Sequence, residues 1–315
     1  EQTKTKSIGD VNHQFNGTLD GNGYKITGLT LSNNDSGLFC YVGRNGLVYD
    51  VTIDSANVLF SDNAAVLVCN NYGLVDSCAV LNTNITADTG AVLGGMVSRN
   101  YGYIRNSYVQ GGSLTSNSTT SVGHAGFVGA NETGGRIENC WTSMTVSTQS
   151  EHAGGFVGLG YGGTIRNCFA LGDVSARGYS GGFIGRYVYD GNVTENCYAA
   201  GVVIVTGAEG NGFNGGNQSG SNFQYEQEQG TENCFYNSAT QSSHAYGAEA
   251  KSLSDMKTES FLKQLDKDGG VWAQSDDENN GLPYLKNVKA PETAKTEQIT
   301  VQLAIASYNK STYAF

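Results

Sequence analysis

Apolar residues recur along this chain at a spacing that a helix cannot use. Phe39, Leu67, Met96, Phe127, Phe156 and Phe183 follow one another at steps of 28, 29, 31, 29 and 27 positions. A second column holds Val48, Val75, Ile104, Ile137, Ile165 and Val193, and a third holds Val58, Ile85, Leu114, Val146, Val174 and Val203. Three apolar columns in each repeat predict three short strands per coil, with side chains alternating inward and outward. One coil cannot bury its inward face alone, whereas coils stacked ~4.8 Å apart share a continuous core. The pattern therefore predicts an all-β chain, a parallel β-helix (β-solenoid) of about seven to eight coils.

The best-preserved unit reads Gly154-Gly155-Phe156-Val157-Gly158, then Gly163-Thr164-Ile165-Arg166-Asn167-Cys168-Phe169-Ala170. Stacking turns its neighbouring positions into columns. Asn106, Asn139, Asn167, Asn196 and Asn233 form one, in which side-chain amides can bond up the ladder and asparagine tolerates a left-handed turn. Just before it lies a charge column, Asp76, Arg105, Glu138, Arg166, Glu195 and Glu232, whose alternating sign over five coils fixes register. Just after it come Cys78, Ser107, Cys140, Cys168, Cys197 and Cys234. The chain's 7 cysteines are odd in number and lack CxxC spacing, so they read as reduced core thiols rather than a metal site or disulfides.

The next column carries the candidate site. Tyr108, Trp141, Phe169, Tyr198 and Phe235 follow the inward cysteines, so alternation turns them outward. An exposed stripe of five rings is a platform for sugar rings or a protein surface. The alternative is that the rings pack on one another, or under a loop, and protect a flank.

The ends differ from the repeat. Phe15 to Ile26 reads as strand, glycine-rich turn and strand, an incomplete first coil. Ser254 to Leu265 has a helical pattern with Phe261, Leu262 and Leu265 on one face, stopped by Gly269-Gly270. Trp272 and Leu282-Pro283-Tyr284-Leu285 would then fold over the last coil. The division expected is a β-helix over residues 1–250, a small helical cap over 251–287, and a linker and strand over 288–315 that open a further domain or dock back.

Composition supports this outline and narrows the chemistry. Glycine is plentiful at 44 of 315 residues and proline is rare at 2, which suits short strands joined by tight turns. A net charge of −11 without a basic cluster disfavours nucleic acid and anionic membranes as partners. No apolar run is long enough to insert into a membrane. The start Glu1-Gln2-Thr3-Lys4 reads as that of a mature or excised segment. The four histidines, His13, His124, His152 and His244, lack metallopeptidase spacing. His124 and His152 fall on successive coils, as a binding pair or as solvated turn positions. The acidic loop Asp276 to Asn280 lacks calcium-loop spacing and reads as a solvated turn. No catalytic residue, metal or cofactor is assigned.

The Gly154 to Ala170 unit resembles the GLUG-motif repeat, as do Phe15-Asn16-Gly17-Thr18-Leu19-Asp20-Gly21-Asn22-Gly23 and the closing Asn279 to Leu285. The resemblance covers roughly residues 15–285, with Cys where the motif usually has Ser. It implies an exported bacterial surface protein, part of a larger multidomain chain, like those with such repeats beside immunoglobulin-A-specific metallopeptidase domains. The motif carries no catalytic residues to transfer. The function expected is a non-catalytic extracellular adhesion or scaffold module, secreted or at the bacterial cell surface, that binds host or dietary glycan or surface protein. The alternative is a carbohydrate-active β-helix enzyme, a lyase or glycoside hydrolase, which would need the clustered acids that the alternating column dilutes.

Overall fold

The computed structural model describes residues 6–31, 36–60, 63–87, 91–207, 210–216, 230–240, 246–267 and 269–288. The strand expected at Ile299 to Ile305 and the linker before it lie outside these residues, as does His244.

The chain winds as a parallel β-solenoid. Phe39–Val42, Val68–Asn71, Val97–Asn100, Val128–Asn131, Val157–Gly160 and Ile184–Tyr187 pair in sequence, all parallel. These six strands mark about six full turns, with part-coils at both ends, rather than seven to eight. Each coil also holds five short strands, not three. After Phe39–Val42 come Leu47–Tyr49, Thr52–Asp54, Asn57–Phe60 and Ala64–Ala65 before the next coil starts. Left-handed corner residues divide the extended stretches: Asp50, Ser77, Asn106, Asn139 and Asn167 all have φ between 51 and 54°. Asparagine and aspartate tolerate that conformation at modest cost.

Register confirms most of the predicted columns and corrects two members. Val58, Ile85, Leu114, Val146, Val174 and Val203 lie opposite one another, all buried. Val48, Val75, Ile104, Ile137 and Ile165 do the same, but Ile165 faces Thr194 and not Val193. There two strands fuse into Val193–Ala199, and the buried Thr194 hydroxyl meets Tyr187 Oη at 2.5 Å. In the first column, Phe39 pairs with Val68, which leaves Leu38 in register with Leu67. Phe127, Phe156, Phe183 and Phe213 stack through the centre with centroids 4.7, 4.8 and 4.9 Å apart.

The polar columns hold the coils in register. Asn139 and Asn167 each donate to the asparagine of the preceding coil, at 3.4 and 3.2 Å, and Asn233 donates to Asn196 at 2.7 Å. Arg105 bonds Asp76 at 2.7 Å and Arg166 bonds Glu195 at 2.7 Å. The cysteine column is buried and unbridged, and burial pushes the Cys78 thiol up to about 12. Alkylation of the native protein is expected to modify Cys40 alone, the one half-exposed thiol, and all 7 thiols after unfolding. Intact-mass measurement checks both counts, and any shortfall after unfolding would reveal a disulfide.

The C-terminal segment forms two short helices, α1 (Leu253–Met256) and α2 (Glu259–Leu265), then an antiparallel pair, Trp272–Ala273 with Tyr284–Leu285. One helix was expected. The break falls at Thr258, whose hydroxyl caps α2 by accepting from Phe261 N, while Ser252 and Asp255 form a capping box on α1. This cap does not close the end of the solenoid. It docks on the flank, where Asn233 Nδ2 satisfies the terminal carbonyls of α2 at Gln264 and Leu265. The last coil is covered instead by Ala248–Lys251, pairing on Thr231–Asn237.

Candidate functional site

The predicted aromatic column exists and faces out of the coil, but it is not an open surface. Tyr108, Phe169, Tyr198 and Phe235 are 3%, 2%, 0% and 1% exposed, and only Trp141 is half-buried. Two physical facts account for the difference. The cap lies over the column: Trp272 packs 5.8 Å from both Phe169 and Tyr198, and Phe261 sits edge-on to Phe235 at 4.9 Å. Tyr198 Oη donates to Pro283 O at 2.6 Å and accepts from Asn279 Nδ2 at 3.0 Å, which turns the acidic loop inward at its end. The rings also spend their faces on each other. Trp141 lies between Tyr108 at 4.8 Å and Phe169 at 5.6 Å, within 10° of parallel to both, so it presents only an edge. Identical positions on parallel strands stack ring on ring, and a stacked ring has no free face for a sugar.

The histidine pair is likewise buried and not solvated. Ala91 O can only accept, so the 3.0 Å contact places the His124 proton on Nε2, and Nδ1 accepts from Thr148 Oγ1 at 2.7 Å. The His152 Nε2 faces the Arg186 guanidinium at 3.3 Å and must accept. Burial pushes both down to about 4, and Arg186 adds to the effect at His152. Strand register sets His124 against Ala153, one position away from His152, so the two are not a pair.

The acids of the charge column are tied to cations. Burial alone would raise Glu138, but hydrogen bonds from Tyr103 and Arg136 outweigh it and hold the carboxyl below its usual range. A general acid needs the opposite shift. Among the described residues, no group of three or more His, Cys, Asp or Glu is placed to hold a metal ion.

A different surface is open, at the corner between Phe39–Val42 and Leu47–Tyr49 and its repeats. Here runs a shallow groove of about 520 Å³, parallel to the solenoid axis. Its floor is glycine: Gly46, Gly73 and Gly102 on successive coils. A Cβ on Gly73 would lie 2.3 Å from Gly46 O, and one on Gly102 would lie 2.3 Å from Gly73 O, so only glycine fits. Beneath the corner is a buried ladder in which Asn71 donates to Asn100 and Asn100 to Asn131, both at 2.9 Å. Arg44 and Tyr72 form one wall, and Leu47, Leu74, Tyr103 and Arg136 the other. A smaller hollow of about 330 Å³ adds Tyr101 and Thr133 beside Arg44 and Tyr72. Tyr72 and Tyr101 are half-buried and stack at 4.5 Å and 3°, so they present ring edges. This corner is not among the sites predicted from the repeat. Its signal was present in the glycines at 46, 73 and 102 and the tyrosines at 72 and 101, which keep the coil spacing.

The fold defines a class, the parallel β-solenoid, and comparison with known proteins finds a known repeat motif in one part of it. Residues 149–175 match the GLUG motif. A protein of Evansella cellulosilytica provisionally named Gly-rich membrane protein is 30% identical over 150 residues, which cover 37% of this chain. The chain spans only 16% of that relative's length. A crystal structure of a protein from Bacteroides ovatus, provisionally named an immunoglobulin A1 protease, superposes with a TM-score of 0.55 at 17% identity. The match covers 86% of this chain and 78% of that one, and it speaks to the fold alone. No helix among the described residues is long and apolar enough to cross a membrane.

Proposed function

We propose that the chain is a non-catalytic adhesion and scaffold module of an extracellular bacterial surface protein, and that it holds glycan along the glycine-floored corner groove. The observation that carries this reading is the groove itself. It is open, lined by phenol edges and guanidinium groups, and set on coils that two asparagine ladders and cross-coil ion pairs hold rigid. Rigid elements present a binding surface at little ordering cost. The ion-paired carboxylates of the charge column support a structural rather than catalytic role for those acids. The membrane-protein name of the Evansella relative is consistent with a surface location.

A screen of the purified chain against immobilised glycans and mucins tests the proposal, with Tyr72→Ala/Tyr101→Ala and Trp141→Ala as paired variants. Binding is expected to fall about tenfold or more in the tyrosine variant, the scale of two lost hydrogen bonds from the phenols. It is expected to persist in Trp141→Ala. Loss in Trp141→Ala alone would return the site to the covered stripe, and binding to nothing would leave a passive spacer.

A further inference from the structure

The proposed glycan site deepens when its charge is set against that of the chain. The sequence carries 29 acidic and 18 basic residues, yet neither hollow has a carboxylate in its lining. Arg44 borders both hollows, is exposed, and forms no ion pair with the described residues. Arg136 stands on the facing wall, fixed by Glu138 at 2.7 Å and laid over the Tyr103 ring at 4.9 Å. Glu138 offsets Arg136, so the net positive charge of the groove is that of Arg44, and on an acidic molecule it favours an anion.

The backbone narrows the class of anion. Leu74, Tyr103 and Arg136 donate their amides to Gly46, Gly73 and Gly102 of the preceding coils, so the floor is already paired. An extended peptide recognised through its main chain needs a free strand edge, and the groove offers none. What it offers is side-chain hydroxyl and guanidinium groups, repeated at the coil spacing over four coils, a run of about 14 Å at ~4.8 Å per step. Phenol edges match the many hydroxyls of a sugar chain, and a guanidinium matches a carboxylate or sulfate in bidentate fashion.

We propose that the corner groove binds an acidic polysaccharide, with the chain lying along the solenoid axis and Arg44 as the principal anchor of its carboxylate or sulfate groups. This rests on the glycan-binding reading above.

The test uses the full chain against an acidic panel: polygalacturonate, alginate, hyaluronan, chondroitin sulfate and sialylated mucin. Neutral counterparts are methyl-esterified pectin and desialylated mucin, and polyglutamate serves as an acidic peptide. At least one acidic glycan is expected to bind, with affinity that falls as salt rises. Arg44→Ala is expected to weaken it about tenfold or more, the scale of a lost charged hydrogen bond. Arg44→Lys should fall between, because an ammonium keeps charge but not the fork. Equal binding of acidic and neutral counterparts would overturn the acidic inference while leaving the glycan reading intact. Equal binding of polyglutamate would overturn the saccharide assignment. Binding that Arg44→Ala leaves unchanged would overturn the anchor and the groove, and binding to no panel member would overturn both readings.

Discussion

Trp272→Ala is expected to release the C-terminal cap while leaving the solenoid wound. The indole is 1% exposed and touches the rings of Phe169 and Tyr198, each at 5.8 Å between centroids. Truncating a buried tryptophan costs about 3–5 kcal/mol, and the cap has little stability to set against that. Helices of four and seven residues are too short to persist in water, and a two-residue hairpin is no better. The coils differ, because each depends only on its neighbours and the loss does not travel along the axis. Limited proteolysis should therefore cut between 252 and 288 and leave a resistant core, with new dye binding at the bared Phe169 and Tyr198. A variant as resistant as the parent would mean that the polar contacts suffice: Tyr198 with Pro283, Asn233 with α2, and Lys267 with Glu232 at 2.6 Å.

The second large effect is acid sensitivity above the usual carboxylate range. His124 and His152 titrate at about 4 in the folded chain, against 6.5 for an ordinary histidine. Between those values the unfolded chain binds protons that the folded chain refuses, so stability falls as pH falls. It is complete above about pH 6.5 and lost progressively down to pH 4. At ~1.4 kcal/mol per unit, each histidine accounts for at most roughly 3 kcal/mol. At His152 the cause is geometric as well as solvation, since a proton on Nε2 would face the Arg186 guanidinium at 3.3 Å, partly offset by Glu151. Below pH 4 the depressed carboxylates, Asp54 and Glu138 among them, add their own loss. Urea midpoints measured from pH 7 to 4 should show the decline, and His152→Phe, which keeps a ring against Tyr179, should halve its slope. A flat profile above pH 4.5 would contradict the burial of both imidazoles.

Much of the architecture was legible because inward columns are constrained twice, by burial and by the identity of the position one coil away. Val58 to Val203 could be aligned by eye and pair as expected. Single-residue slips escaped where two candidates were both apolar, as with Leu38 and Phe39, or where a hydroxyl found a partner inside, as with Thr194. The number of strands per coil escaped because left-handed corners at Asp50 or Ser77 carry no glycine to announce them. The candidate site was harder. Alternation says correctly that Trp141 points outward, but not what lies over it, and the cap that covers its neighbours arrives more than a hundred residues later. Nor does a one-dimensional pattern state that rings in register consume each other's faces.

The alternating charge column has a consequence for how such a chain can change length. Removing the Glu138 coil would bring Arg105 against Arg166, and duplicating it would set glutamate on glutamate, so single-coil edits are penalised by like-charge contact. Edits of two coils leave the sequence of signs intact. The rule has parity, and growth or shrinkage by recombination should be favoured in even steps. It fails towards both ends: the uncharged Tyr49 stands between Asp20 and Asp76, and Glu195 is followed by Glu232, where the cap supplies Lys267 as the missing cation.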